Sequence, residues 1–461
     1  MSPQTLTSTF TARRVGWHHD DEAFMFQWED GKPHEDCLSV NVWTPALDSL
    51  KRPVLFWIHG GGFTTGHSNE LATYDGENLA RRGDVVVVSV NHRLGPLGFL
   101  NLSEYGDQYA HSANAGVLDL VAALEWVKTN IGSFGGDPTR VLIFGQSGGG
   151  GKVSTLMGMP AAKGLFHRAV IQSSGSPIRQ LSMDTSQRTA AALLKELGID
   201  KSNLDKLRQV SPDNILEASV RVAKAANSPG GAQPGLGGWG PVVDGHDLPR
   251  NVWDPAAPEF SANVPLLVGN VLNEMGNSVQ MGSAAYEDMT MDEVKTRLAK
   301  EFPGRADALI AAISKANTIT KPFDIYSLSQ GLPRRVDVLA MAGLKAKQGK
   351  APAYVYRFIW QSPMVDGRAR AYHCSELPFV FYNTERCSSM TGGGPEPMEL
   401  AGRISDAWIN FARRGNPNNP GLPDWPAFDA ETRPTMVFDT RCEVRNNYNQ
   451  AEVDAAKDSA A

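Results

Sequence analysis

VLIFGQSGGGGKVS, residues 141–154, starts as an apolar run, passes through a string of glycines and resumes with a lysine in a helical pattern. A strand that breaks sharply into a helix aims the first backbone N–H groups and the positive end of the helix dipole at whatever lies over the turn, so a phosphate or an oxyanion would suit it equally. A phosphate-binding loop requires G-x-x-x-x-G-K-[ST]. Here Gly151-Lys152 is followed by Val153, and the position five before Gly151 is Gln146, so that template fails twice. The alternative, G-x-S-x-G, fits as Gly145-Gln146-Ser147-Gly148-Gly149. In such an elbow the serine sits on a strained turn with its hydroxyl lifted clear, and the residues two before and two after it must be small. In a chain with 45 glycines the five-residue match could equally be an ordinary turn, so it counts only with partners.

Working outward, several segments predict buried strands: 38–43, 53–59, 85–91, 140–145, 168–174, 264–270 and 351–358. Each is short, rich in β-branched and aromatic residues and nearly continuous in its hydrophobicity, as expected for strands covered on both faces of a parallel sheet. Helical patterns at 114–131 and around 185–197 lie between them, and the alternation predicts an α/β fold with a mostly parallel sheet. Residues 275–350 break the rhythm with a helical, methionine-containing stretch that reads as an insertion capping the site. Met275, Met281, Met289 and Met291 could as well be surface or ordinary core residues. The glycine-rich stretches 227–240 and 391–397 read as mobile loops.

The 461 residues allow two or three domains by length, but a single α/β domain with insertions also reaches this size. With 50 acidic and 44 basic residues the net charge is −6, which favours neither nucleic acid nor an anionic membrane. No apolar run approaches a spanning helix or signal-peptide core, so the expectation is a cytoplasmic protein. Cys37, Cys374, Cys387 and Cys442 show no C-x-x-C spacing. Cys387 and Cys442 could pair, although free thiols fit a reducing compartment better.

If the elbow is real, an acid and then a histidine should follow the serine in the chain. Only His167, His246 and His373 come after Ser147, and no acid lies between Ser147 and His167. Two pairings remain, Asp244 with His246 and Glu274 with His373. The first pair sits two residues apart in PVVDGHD, where Asp-Gly is a turn signal. Glu274 follows the apolar run VPLLVGN, and His373 follows the strand at 351–358, so both fall beyond carboxyl ends of strands, where sites of open parallel sheets form. WIHGGGF, 57–63, directly after another predicted strand, adds consecutive glycines whose N–H groups could complement the one after the nucleophile.

With these residues in hand the chain resembles the type B carboxylesterases, an α/β-hydrolase family that includes cholinesterases and para-nitrobenzyl esterases. The likeness runs through EDCLSVNVWTP (35–45), HGGGF (59–63), NHRLGPLGFL (91–100), FGGDPTRVLIFGQSGG (134–149), GPVVDG (240–245), HCSELPFVF (373–381) and GLPDWPAFD (421–429). It implies a single α/β-hydrolase domain and a serine ester hydrolase with Ser147 as nucleophile, His373 as base and Glu274 as acid. Gly61, Gly62 and Gly148 become oxyanion donors, and Ser173 or Ser174 supports the triad from behind. No cofactor and no metal is implied, and the partner is a small-molecule ester rather than nucleic acid or membrane, with a monomer or homodimer as the assembly. A non-catalytic binding protein on the same fold, or an amidase with the same triad, are the competing readings. Three departures stand out. Gln146 and Gly148 replace the family's usual glutamate and alanine, which argues against a quaternary ammonium substrate. Cys37 has no nearby partner for the loop disulfide of cholinesterases. The pattern starts near Glu35, without the family's earlier hairpin, so either the start is shortened or one wall of the pocket is missing and the pocket is more open.

Overall fold

The computed structural model describes residues 20–29, 36–174, 180–227 and 238–457. Nine strands form one sheet: β1 (Val40–Trp43), β2 (Arg52–Ile58), β3 (Val86–Val90), β4 (Gly136–Gln146), β5 (Arg168–Gln172), β6 (Leu266–Val271), β7 (Ala353–Phe358), β8 (Thr435–Phe438) and β9 (Glu443–Arg445). Their spatial order is β1-β3-β2-β4-β5-β6-β7-β8-β9. Among the described residues only the edge pairs β1 with β3 and β8 with β9 of this sheet are antiparallel. All seven strands expected from sequence are present within a few residues of their anticipated limits.

Side-chain alternation explains why these runs looked continuous. Along β2, Leu55 and Trp57 enter one apolar cluster while Val54, Phe56 and Ile58 enter another. The same split separates Leu142 and Phe144 from Val141 and Ile143 on β4, and Tyr354 and Tyr356 from Ala353 and Val355 on β7. The sheet thus lies between two cores, each closed by helices. On one face sit α1 (Ala115–Asn130), α2 (Gly148–Gly158) and α3 (Leu332–Gln348), through residues such as Leu120, Val153 and Met341. On the other lies α4 (Pro395–Arg414), which contributes Ile404, Trp408 and Phe411. Each such side chain, fully buried, contributes about 1.5–3 kcal/mol of transfer free energy.

One expectation changes, and three other readings gain detail. The stretch 275–350 is not one cap, because α3 is a sheet-flanking helix, whereas Val294, Leu298, Leu309 and Phe323 from the preceding helices form a separate small core. Of the four methionines, Met289 is buried in that core and Met275 faces the cavity described below. TGGGPEP leads into α4 through three glycines at positive φ, Gly392, Gly393 and Gly394, and the Gly394 N–H donates to Glu385 at 2.9 Å. Cys387 and Cys442 are both free thiols, the first against Thr73 Oγ1 at 3.2 Å. Most of 227–240, like Glu35, lies outside the described residues. Among the described residues no helix is long and apolar enough to cross a membrane.

Candidate active site

Ser147 stands between the end of β4 and the start of α2 with φ 57° and ψ −124°, a conformation costing about 1–3 kcal/mol for a residue with a Cβ. Its N–H donates to the Gln172 carbonyl on β5 at 2.8 Å, which pins the turn to the sheet. The glycines on either side are steric necessities. A Cβ on Gly145 would lie 2.5 Å from the Gly149 carbonyl carbon, and one on Gly149 would lie 2.0 Å from the Ile58 oxygen. The stretch 145–149 is therefore a true elbow, with the serine at the carboxyl edge of the sheet.

Two of the candidate partners come together at that edge. Glu274, at φ 42° just past β6, is completely buried, and its carbonyl accepts the His373 N–H at 2.8 Å. Their side chains meet through His373 Nδ1 and Glu274 Oε2 at 2.6 Å. The Val271 N–H donates to the other Glu274 oxygen at 3.2 Å. Burial pushes Glu274 toward its neutral form, but Arg334, with Nε 3.8 Å away, and the His373 hydrogen bond outweigh it and hold the carboxyl below its ordinary range. Burial likewise lowers His373 below an ordinary imidazole, despite the opposing pull of Glu274. The resting pair is an ionised carboxylate and a neutral histidine whose Nδ1 donates, leaving Nε2 as the basic nitrogen.

The other pairing also touches, with His246 Nδ1 3.4 Å from Asp244 Oδ2, but neither residue lines the cavity that holds Ser147. Asp244 caps its own turn, accepting from the N–H groups of His246 and Leu248, while His246 is half exposed beside Asp247 and His111. These last three form, among the described residues, one group with metal-ligating atoms within 4.8 Å of each other, and none of them lines the catalytic cavity. His167 sits at the opposite edge of the sheet, its Nδ1 accepting from the Val141 N–H.

Neighbours beyond the triad complete the electrostatics. The Gln146 amide nitrogen lies 3.3 Å from both ring nitrogens of His373, so it packs over the ring, and its oxygen accepts the Cys374 thiol at 3.3 Å. Behind them Glu376, fully buried, is raised to about 8 by desolvation and by the nearby Glu274 charge, and it accepts from Gln172 at 3.3 Å. Of the two serines, the buried Ser173 faces Glu274 and adds to keeping it ionised, although in its present rotamer it meets no partner in hydrogen-bond geometry. Ser174 packs instead against the first turn of α2, near Gly150 and Gly151.

The HGGGF loop folds over the elbow. Gly61 and Gly62 have φ of 75° and 62°, and a Cβ on Gly148 would lie 2.2 Å from the Gly62 oxygen, so the two glycine-rich segments are in direct backbone contact. Gly61, Gly62, Ser147 and His373 share one cavity of about 390 Å³, whose other walls include Phe26, Trp28, Tyr74, Glu22, Glu70 and Arg334. Phe26 and Trp28 stack there with centroids 4.7 Å apart.

A serine elbow at the carboxyl edge of a sheet with this strand order defines the α/β-hydrolases. Within that class the assignment is specific: the sequence model of the carboxylesterase family matches residues 4–456, and the chain belongs to that family. The match begins well before Glu35. The para-nitrobenzyl esterase of Bacillus subtilis is 36% identical over 423 residues, which cover 90% of this chain and 81% of that protein. The phenmedipham hydrolase of Pseudarthrobacter oxydans is 33% identical, with coverage of 87% and 78%. Among solved structures, an esterase from Clostridium hathewayi described as able to hydrolyze aliphatic aromatic polyesters superposes with a TM-score of 0.84, 37% identity and coverage of 98% and 87%. The chain is a carboxylic ester hydrolase.

Proposed function

We propose that this hydrolase works by two-step acyl transfer through Ser147, His373 and Glu274. His373 Nε2 takes the Ser147 proton as the hydroxyl oxygen attacks the ester carbonyl; the protonated imidazole then gives that proton to the leaving alcohol. In the second step the same nitrogen deprotonates a water that attacks the acyl-enzyme and releases the acid. Glu274 fixes the Nδ1–H tautomer and stabilises the imidazolium. The 2.6 Å contact between His373 and Glu274, beside a serine elbow on the same cavity, is the observation that carries this reading. The tetrahedral oxyanion is held by backbone N–H groups of Gly61, Gly62 and Gly148, and the reaction calls for no metal or cofactor.

The described sheet runs from residue 40 to residue 445, which supports treating the chain as one catalytic unit. For substrate we propose small aryl esters, since Phe26, Trp28 and Tyr74 offer ring faces on the cavity wall. Turnover of p-nitrophenyl esters from acetate to octanoate, by the wild type and by Ser147→Ala, tests the proposal. The variant should lose on the order of 10⁶ in kcat. Comparable turnover by the variant would remove Ser147 from the mechanism.

A further inference from the structure

Lys152, the residue that made a phosphate loop conceivable, does not point over the turn. It is completely buried on α2, five residues past the nucleophile. Its ammonium donates to the His59 carbonyl at 3.0 Å and the Gly60 carbonyl at 3.3 Å, and it lies 5.7 Å from the centroid of the Phe63 ring. All three contacts fall on the HGGGF loop, two of them on the peptide oxygens just ahead of Gly61 and Gly62. We propose that Lys152 is a positioning residue, a clamp that fixes the loop carrying Gly61 and Gly62 to the helix that carries Ser147. The inference rests on reading those glycines as oxyanion donors.

The physical case is one of cost and location. Burial lowers Lys152 to about 7, with Glu70 opposing only in part, so the folded protein holds this cation at a penalty. Desolvation first, and the Lys152 charge second, keep the adjacent, buried imidazoles of His59 and His92 neutral. An apolar side chain of the same length would escape that penalty, whereas only a donor can hold two carbonyls. Without it, Gly61 and Gly62, both at positive φ, lose the anchor on their N-terminal side. A donor displaced by 1 Å costs about 10² in rate.

Lys152→Met removes the donors and keeps all but the last atom of the chain; Lys152→Gln leaves a neutral donor one atom shorter. In Lys152→Met we expect kcat for p-nitrophenyl butyrate to fall about 10- to 100-fold with KM changed by less than about threefold, because transition-state donors are misplaced while ground-state binding persists. Amide exchange in residues 58–66 should accelerate at least about tenfold, with β4 unchanged and little change in melting temperature. Lys152→Gln should fall between, and it carries the test by itself if the methionine variant does not fold. Unchanged kcat and unchanged loop exchange would overturn the clamp, as would faster exchange spread evenly over the protein. A wild type without esterase turnover whose loop still loosens in the variants would sink the proposed mechanism and leave the clamp standing.

Discussion

Adding one methyl group at Gly148 probes the contact on which the proposed oxyanion site depends. Gly148 begins α2 in helical geometry, so alanine would not strain its own backbone. The new Cβ would instead lie 2.2 Å from the Gly62 oxygen and 2.4 Å from the Gly62 Cα, both backbone atoms. Carbon–oxygen contacts rest at about 3.3 Å, so the loop must retreat by about 1 Å. Lys152 and the Gly95 N–H, which donates to the Phe63 carbonyl at 2.7 Å, resist that movement on either side. A 1 Å misplacement of donors costs about 10² in rate, equivalent to about 2.7 kcal/mol of transition-state stabilisation. Steady-state kinetics of Gly148→Ala with p-nitrophenyl butyrate should therefore show kcat down about 100-fold and KM nearly constant. The family resemblance makes alanine the usual residue here, so the naive expectation is the opposite. Wild-type kcat in the variant would refute the reasoning, because it would mean that the loop is free to move and Gly148 carries no constraint.

Three further predictions follow from the site. Gln146→Glu places a carboxylate where the amide now sits, 3.3 Å from the His373 nitrogens; even at the dielectric of water that charge is worth about 1.3 kcal/mol, about one pK unit. The charged imidazole is favoured, so the acid limb of the kcat/KM profile should move up by at least that much, and an unmoved limb would contradict the placement. Glu376 has its folded pKa raised to about 8, so the folded state binds more protons than the unfolded chain between the ordinary carboxyl range and pH 8, and stability falls as pH rises through that window. Glu376→Gln should remove this slope, raising the melting temperature more at pH 8 than at pH 5; equal shifts at both would argue that the group ionises freely. Glu274→Gln keeps the hydrogen bond in reach but loses the charge and the tautomer control, and kcat should drop about 10⁴-fold while the active-site serine remains titratable.

The parts of this protein that a sequence reveals are those imposed by the backbone. The strand at 53–59 is legible because both faces of the sheet are buried, and the elbow because Gly145 and Gly149 have no room for a side chain. Chain order and strand-end placement then narrowed the acid and histidine to two pairings, and the fold separates them: Glu274 meets His373, which shares the cavity of Ser147, whereas Asp244 and His246 meet away from it. The final pair of strands, Thr435–Phe438 and Glu443–Arg445, was missed because runs of four and three residues between turn signals are too short to show a period. Arg334 was invisible as a site residue, and Lys152 was weighed only as a phosphate ligand, for another reason. A charged residue within a helical pattern reads as solvent-facing, and only the three-dimensional packing shows Arg334 turned toward Glu274 and Lys152 turned toward the loop carbonyls.

The most direct test of the mechanism is to trap the nucleophile. The wild type and Ser147→Ala would be treated with diethyl p-nitrophenyl phosphate, and the intact mass, the modified peptide and the remaining activity followed together. The account predicts one diethylphosphoryl group per chain on Ser147, loss of activity in proportion to labelling, and no label on the variant. Full labelling at another residue, or inactivation of the wild type with Ser147 unmodified, would contradict it.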